Sequence, residues 1–203
     1  MRSCRTAVPE LRVGVLAIQG GFEAHVEMLR QLGADAREVR LPADLVGLDG
    51  LVVPGGESTA IAKGIEAAGL AGSIRAHHDA GRAVFGTCAG MIVCDSEHLG
   101  LIDATAERNA FGRQLQSFEA ALEIEGIGDE PMRAVFIRAP WVDRCGPDVE
   151  VLATYEGHPV AIREGTVLAC AFHPELTDDP RLHALFMAMT TSSRAREREE
   201  AET

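Results

Sequence analysis

Three short apolar runs, each closed by glycines, constrain this chain most: VGVLAI (Val13 to Ile18) before Gln19-Gly20-Gly21, LVVPGG (Leu51 to Gly56), and AVFGTC (Ala83 to Cys88) before Ala89-Gly90. A run that is apolar at nearly every position and rich in β-branched residues suits a strand covered on both faces, as in a parallel sheet. Helical patterns lie between the runs. FEAHVEMLRQLG sets Phe22, Val26, Leu29 and Leu32 near helical spacing and ends at Gly33, a fitting stop. A short strand is expected around Arg37 to Val39. Ser58 or Thr59 is expected to cap a helix running through Ile65, and a further helix is expected from about Ser73 to Ala80. This β–α alternation predicts an α/β fold with a doubly wound, mostly parallel sheet and helices on both faces.

The second half reads differently. SFEAALEI alternates weakly, RAVFIRAP is one short strand, and VEVLATYEGHPVAIREGTVLACAF divides into three strands joined as hairpins. An antiparallel, β-rich segment is therefore added in the C-terminal half, and a last helix from about Asp179 to Met189 closes the domain. Residues 1–10 read as an N-terminal arm and 11–190 as the domain. Residues 191–203, almost wholly charged or small, read as a frayed helix or disordered tail.

With 203 residues and 46% apolar composition, the chain has enough material for a single well-buried core, mainly aliphatic because it holds only one Trp and one Tyr. A net charge of −12 argues against a nucleic-acid partner and against docking on an anionic membrane. No apolar stretch approaches the ~20 residues of a transmembrane helix. MRSCRTAVPELR lacks the apolar centre of a signal peptide, so a cytoplasmic location is expected. The five cysteines, Cys4, Cys88, Cys94, Cys145 and Cys170, form neither an even set nor a CxxC pair, which speaks against a disulfide framework or a zinc site. Cys94 and Cys170 fall in apolar elements and read as core; Cys4 and Cys145 read as loop residues. His77 and His78 are neighbours in a helix and cannot share one face as a metal pair. His25, His98, His158 and His183 carry no partner signal and are set aside.

Two segments carry chemistry. Gly86-Thr87-Cys88-Ala89-Gly90 has the glycine–x–nucleophile–x–glycine form of a tight strand-to-helix turn. Its glycines let the strand and helix come close, so that Cys88 is lifted into the cleft. The helix that starts there favours the thiolate, and the Ala89 amide is placed to meet a developing oxyanion. Phe172-His173-Pro174-Glu175 follows the apolar strand TVLACA. In extended backbone, His173 and Glu175 would project to one side, so that the carboxylate orients the imidazole. The order Cys, His, Glu differs from the nucleophile–acid–His order of α/β-hydrolases.

Taken together, GTCAG and FHPE resemble the class I (triad) glutamine amidotransferases. VGVLAIQG, PGGEST, ERNAFGRQ with SFE, FIRAP and AFHPELT resemble, within that family, the glutaminase subunits of pyridoxal 5′-phosphate synthases. The resemblance runs from about Val13 to Met189. It implies a flavodoxin-like core, Cys88 as nucleophile, and His173 and Glu175 as its relay. It also implies a glutamine site made by Gly56, Glu57, Ser58, Arg108, Ile137 and Arg138, with Gly56 beside Ala89 at the oxyanion. Arg108 or Arg138 would meet the α-carboxylate and Glu57 the α-ammonium. The partners implied are L-glutamine and a separate synthase subunit that accepts ammonia to build pyridoxal 5′-phosphate; no cofactor or metal is implied. One departure is the stretch CDSEHLG from Cys94, where such subunits usually carry a longer one. The alternatives are a triad glutaminase serving another synthase, a relative of the cysteine peptidases and chaperones with the same core, and a catalytically inactive binding module.

Overall fold

The computed structural model describes residues 10–108, 110, 111 and 117–201. The arm expected over 1–10 lies outside the described residues except for Glu10, as do Cys4 and most of ERNAFGRQ beyond Arg108. The expected apolar runs form β1 (Arg12–Leu16), β3 (Gly50–Val53) and β4 (Ala83–Thr87), with β2 (Asp35–Val39) beside β1. A later strand, β11 (Val167–Cys170), pairs parallel with β4. The hairpin strands β9 (Glu150–Tyr155) and β10 (His158–Glu164) add to β11 in antiparallel fashion, as the sequence pattern predicts. The seven-stranded order is β2-β1-β3-β4-β11-β10-β9. Its parallel part has the flavodoxin-like winding, in which the chain reverses direction between β1 and β3. Every residue of β3, β4 and β11 is buried, so the sheet is covered on both faces.

Helix α1 (Phe22–Gln31) and the final helix α5 (Arg181–Ala201) pack against each other through His25 and His183. Helices α2 (Ser58–Ala67), α3 (Leu70–Asp79) and α4 (Ala89–Cys94) form a second group. The third helix starts at Leu70, earlier than its pattern suggests, because Gly69 turns the chain at φ +67° and separates it from α2. Two small antiparallel pairs complete the fold: β5 (Ala104–Glu107) with β8 (Trp141–Cys145), and β6 (Ser117–Leu122) with β7 (Met132–Ile137). Cys145 thus ends a strand and is not a loop residue.

Of the two readings of the tail, frayed helix or disordered segment, the structure shows the helix. As far as Ala201 it is not disordered, because α5 continues through it. Ser193 is buried, Arg82 pairs with Glu197 at 2.8 Å, and Arg194 reaches Asp49 at 3.3 Å, so packing holds residues whose composition alone would leave them free. The boundary expected at 190 falls inside one helix. Among the described residues no helix is long and apolar enough to cross a membrane.

Candidate active site

Cys88 sits between β4 and α4 with φ +49° and ψ −111°, a conformation that L-residues rarely adopt. The flanking glycines show why the turn closes. A Cβ on Gly90 would lie 1.9 Å from the Val53 carbonyl oxygen, and one on Gly86 would lie 2.8 Å from that of Gly90. Neither position admits a side chain without moving the backbone, so strand, turn and helix are locked in contact. The Cys88 amide donates to the Cys170 carbonyl at 2.8 Å, and its thiol faces the Ile137 carbonyl at 3.9 Å.

His173 follows β11 and is anchored by its own amide, which donates to the Val135 carbonyl at 2.9 Å. Its Nδ1 lies 2.7 Å from Glu175 Oε1. The pair meets as expected, though not through extended backbone. Pro174–Leu176 form a 3-10 turn, which proline at its first position favours, and this turn carries the Glu175 carboxylate back beneath the ring. Burial opposes the charge on His173, but hydrogen bonding to Cys88 and Glu175 lifts it to about 10. Burial likewise disfavours the Glu175 charge, and hydrogen bonds from His173 and His25 outweigh it, holding the carboxyl far below its usual range. Both directions describe an imidazolium beside Cys88 that is held by the Glu175 carboxylate.

Cys88 and His173 open onto a cleft of about 370 Å³ at the carboxyl ends of β1, β3, β4 and β11. Gly56, Glu57, Ser58, Cys88, Ala89, Arg108, Ile137, Arg138 and His173 all line it, so the structure brings together every candidate named from the sequence; Glu175 stands behind His173. Gln19 and Pro140 also line it and were missed. Gln19 accepts the Glu57 amide at 2.7 Å and so fixes the loop after β3; the QGG segment was its only signal. Glu57, not Ser58 or Thr59, caps α2. Its backbone is extended, and its carboxylate folds back to accept the amides of Thr59 at 2.9 Å and Ala60 at 2.8 Å.

Arg108 donates to Thr59 Oγ1 at 2.9 Å, and its other terminal nitrogen lies 3.5 Å from His98 Nε2. The short stretch after Cys94 supplies that support. Buried Asp95 accepts the amides of Glu97 and His98 and sits 2.7 Å from His98 Nδ1. Elsewhere on the cleft wall Arg138 directly follows β7, with φ +44°. Beneath it, Phe118 stacks on Phe136 at 4.6 Å, and Phe111 meets Phe118, Phe136, Trp141 and Tyr155 edge-on or tilted. The four histidines set aside from sequence are all engaged: His98 as above, His158 stacked on Trp141 at 3.6 Å, and His25 and His183 joined at 2.9 Å in the core. Cys94 and Cys170 are fully buried, and burial pushes the Cys94 thiol up to about 12, as expected of inert core thiols.

Comparison with known proteins agrees with this geometry. The model of the SNO glutamine amidotransferase family matches residues 15–192. The chain is 52% identical over 189 residues to the pyridoxal 5′-phosphate synthase subunit PdxT of Mycolicibacterium vanbaalenii, covering 87% of this chain and 96% of that one. It is 51% identical over 191 residues to the subunit of the same name from Deinococcus radiodurans, covering 88% and 97%. A crystal structure of a glutamine amidotransferase, 48% identical, superposes with a TM-score of 0.84 over 88% of this chain and 98% of that one. A strained cysteine turn between strand and helix, a paired His and Glu, and a family match across nearly the whole domain converge: the chain belongs to the SNO glutamine amidotransferase family.

Proposed function

We propose that this protein hydrolyses L-glutamine to L-glutamate and ammonia in the cytoplasm, and passes the ammonia to a separate synthase subunit that makes pyridoxal 5′-phosphate. The observation that carries the chemistry is the relay of Cys88, His173 and Glu175 at the floor of a cleft sized for a small zwitterion. The names of the relatives that match nearly end to end support the partner.

The thiolate of Cys88 attacks the side-chain amide carbon of glutamine. The oxyanion that forms is met by the Ala89 amide and by the Gly56 loop. Collapse of this adduct breaks the C–N bond, and His173 gives its proton to the leaving ammonia. Water, deprotonated by His173, then attacks the thioester; glutamate leaves and Cys88 regains its starting state. Arg108, held on one side by Thr59 and on the other by His98, is assigned the α-carboxylate. Glu57 is assigned the α-ammonium, with Ser58, Ile137 and Arg138 completing the walls.

The test is glutamate release from L-glutamine, with the protein alone and with a pyridoxal 5′-phosphate synthase partner, and Cys88→Ala as control. Release that needs Cys88 and rises with the partner is the expected result. Release that needs Cys88 but ignores the partner keeps the glutaminase and removes the assigned acceptor. No release from folded protein overturns the reading in favour of an inactive module.

A further inference from the structure

The triad does not end at Glu175. His25, in the middle of α1, is wholly buried, and its Nε2 lies 3.3 Å from Glu175 Oε2 and 3.2 Å from Thr87 Oγ1. Oε2 is the oxygen that His173 leaves unused; among the described residues it completes no hydrogen bond, and His25 Nε2 at 3.3 Å is the ring nitrogen set against it. On its far side His25 presents Nδ1 to His183 Nε2 at 2.9 Å. The tautomers follow from charge. A bare Nε2 would set its lone pair against the carboxylate, so Nε2 carries the proton and Nδ1 accepts from His183 Nε2–H. His183 Nδ1 is then left bare. Among the described residues it is indeed without a hydrogen-bond partner, and burial next to His25 holds His183 neutral, its pKa down at about 3.

Thr87 takes the network round to the other side of the thiol. Its Oγ1 also accepts the Gly55 amide at 3.1 Å. Gly55 lies against the His173 ring so closely that a Cβ there would stand 2.5 Å from Cε1. From Cys88 the contacts thus run to His173, Glu175, His25, Thr87 and Gly55, and back to His173, enclosing the nucleophile. Resting on the glutaminase reading above, we infer that His25, braced by His183, is a positioning residue: its Nε2–H holds the second oxygen of Glu175 and ties the acid of the relay to the Gly55–Gly56 loop at the oxyanion.

A packing role is the competing explanation, since both imidazoles also lie against Phe85, with ring centroids at 6.4 and 5.7 Å. The two roles separate by chemistry. His25→Phe keeps a planar ring and removes the donor. His25→Gln returns an N–H donor near the Nε2 position, whereas His25→Asn returns one only toward His183. Glutamate release should be measured for the complex with the synthase partner, with kcat and KM resolved and the thermal midpoint of each variant recorded. His25→Phe and His25→Asn are expected to lose about 100-fold in kcat with KM within about twofold, the scale of a misplaced catalytic group, and His25→Gln to recover most of the loss. Wild-type kcat retained in His25→Phe overturns the inference, as does a loss that follows the thermal midpoint and is equal in Phe and Gln. If none of the variants folds, 15N–1H correlation spectra of the wild-type histidines decide: a protonated Nε2 on His25 supports the role and a bare one overturns it. Absence of Cys88-dependent release in the wild type would instead strike the glutaminase reading itself.

Discussion

Cys88 is a cysteine where the backbone asks for glycine. Its positive φ is held by contacts on both sides, Gly86 against Gly90 and Gly90 against Val53, so the strain of the turn is confined to this one residue. Glu175 is the complementary case, a buried carboxylate whose charge is stable only because ring nitrogens surround it. Replacing it with the isosteric amide tests orientation with little change in shape. Glu175→Gln should fold, keep KM for glutamine, and lose about 10² to 10⁴ in kcat, as expected when the orienter of a catalytic imidazole is neutralised. Steady-state glutamate release checks this, and a drop of less than about threefold would show that His173 holds its place without the carboxylate.

Short elements that look unremarkable set the substrate end of the cleft. The turn centred on Asp95 props His98, and His98 in turn backs Arg108. His98→Ala should therefore raise KM for glutamine about threefold to tenfold, the worth of one modest hydrogen bond, with kcat nearly unchanged; an unaltered KM would remove Arg108 from the α-carboxylate. The elements of the parallel sheet were legible in the sequence because each is a continuous apolar run buried on both faces, and the glycines that end those runs mark where the cleft opens. β5 and β8 were not legible. ATAE and WVDRC carry no clear period, and their pairing joins segments distant in the chain. The same reason hid His25 and His183, since nothing near either residue in sequence announces a partner that arrives from the other end of the chain. Sequence left the tail open between helix and disorder because its composition is that of a solvated segment, while its order comes from contacts with Arg82 and Asp49.

At the scale of the whole molecule, two buried histidines and the half-buried His173 set opposing slopes of stability against pH. His77 and His183 are pushed down to about 4 and about 3 by burial, so below the ordinary imidazole value the unfolded chain binds protons that the folded chain does not. Stability therefore falls as pH drops from about 6.5, by roughly 1.4 kcal/mol per unit for each group. His173 is raised to about 10, so its contribution is complete below about 6.5 and fades as pH climbs toward that value. The depressed Glu175 adds a further loss on the acid side, below the usual carboxylate range. Urea midpoints across pH should pass through a maximum near 6.5. In Cys88→Ala, where one of the groups that raise His173 is gone, the alkaline decline should end at a lower pH. A flat profile from 5 to 9 would contradict these assignments.

The two joined imidazoles in the core also bear on inheritance. His25 and His183 are 158 positions apart, yet each offers the other the ring nitrogen that satisfies it. A single codon change at either site strands a polar atom in a closed interior, and a second change at the other can relieve it. In lineages descended from a common ancestor, these two positions should be lost or kept as a pair, with Thr87 following them more loosely because the Gly55 amide remains to be satisfied.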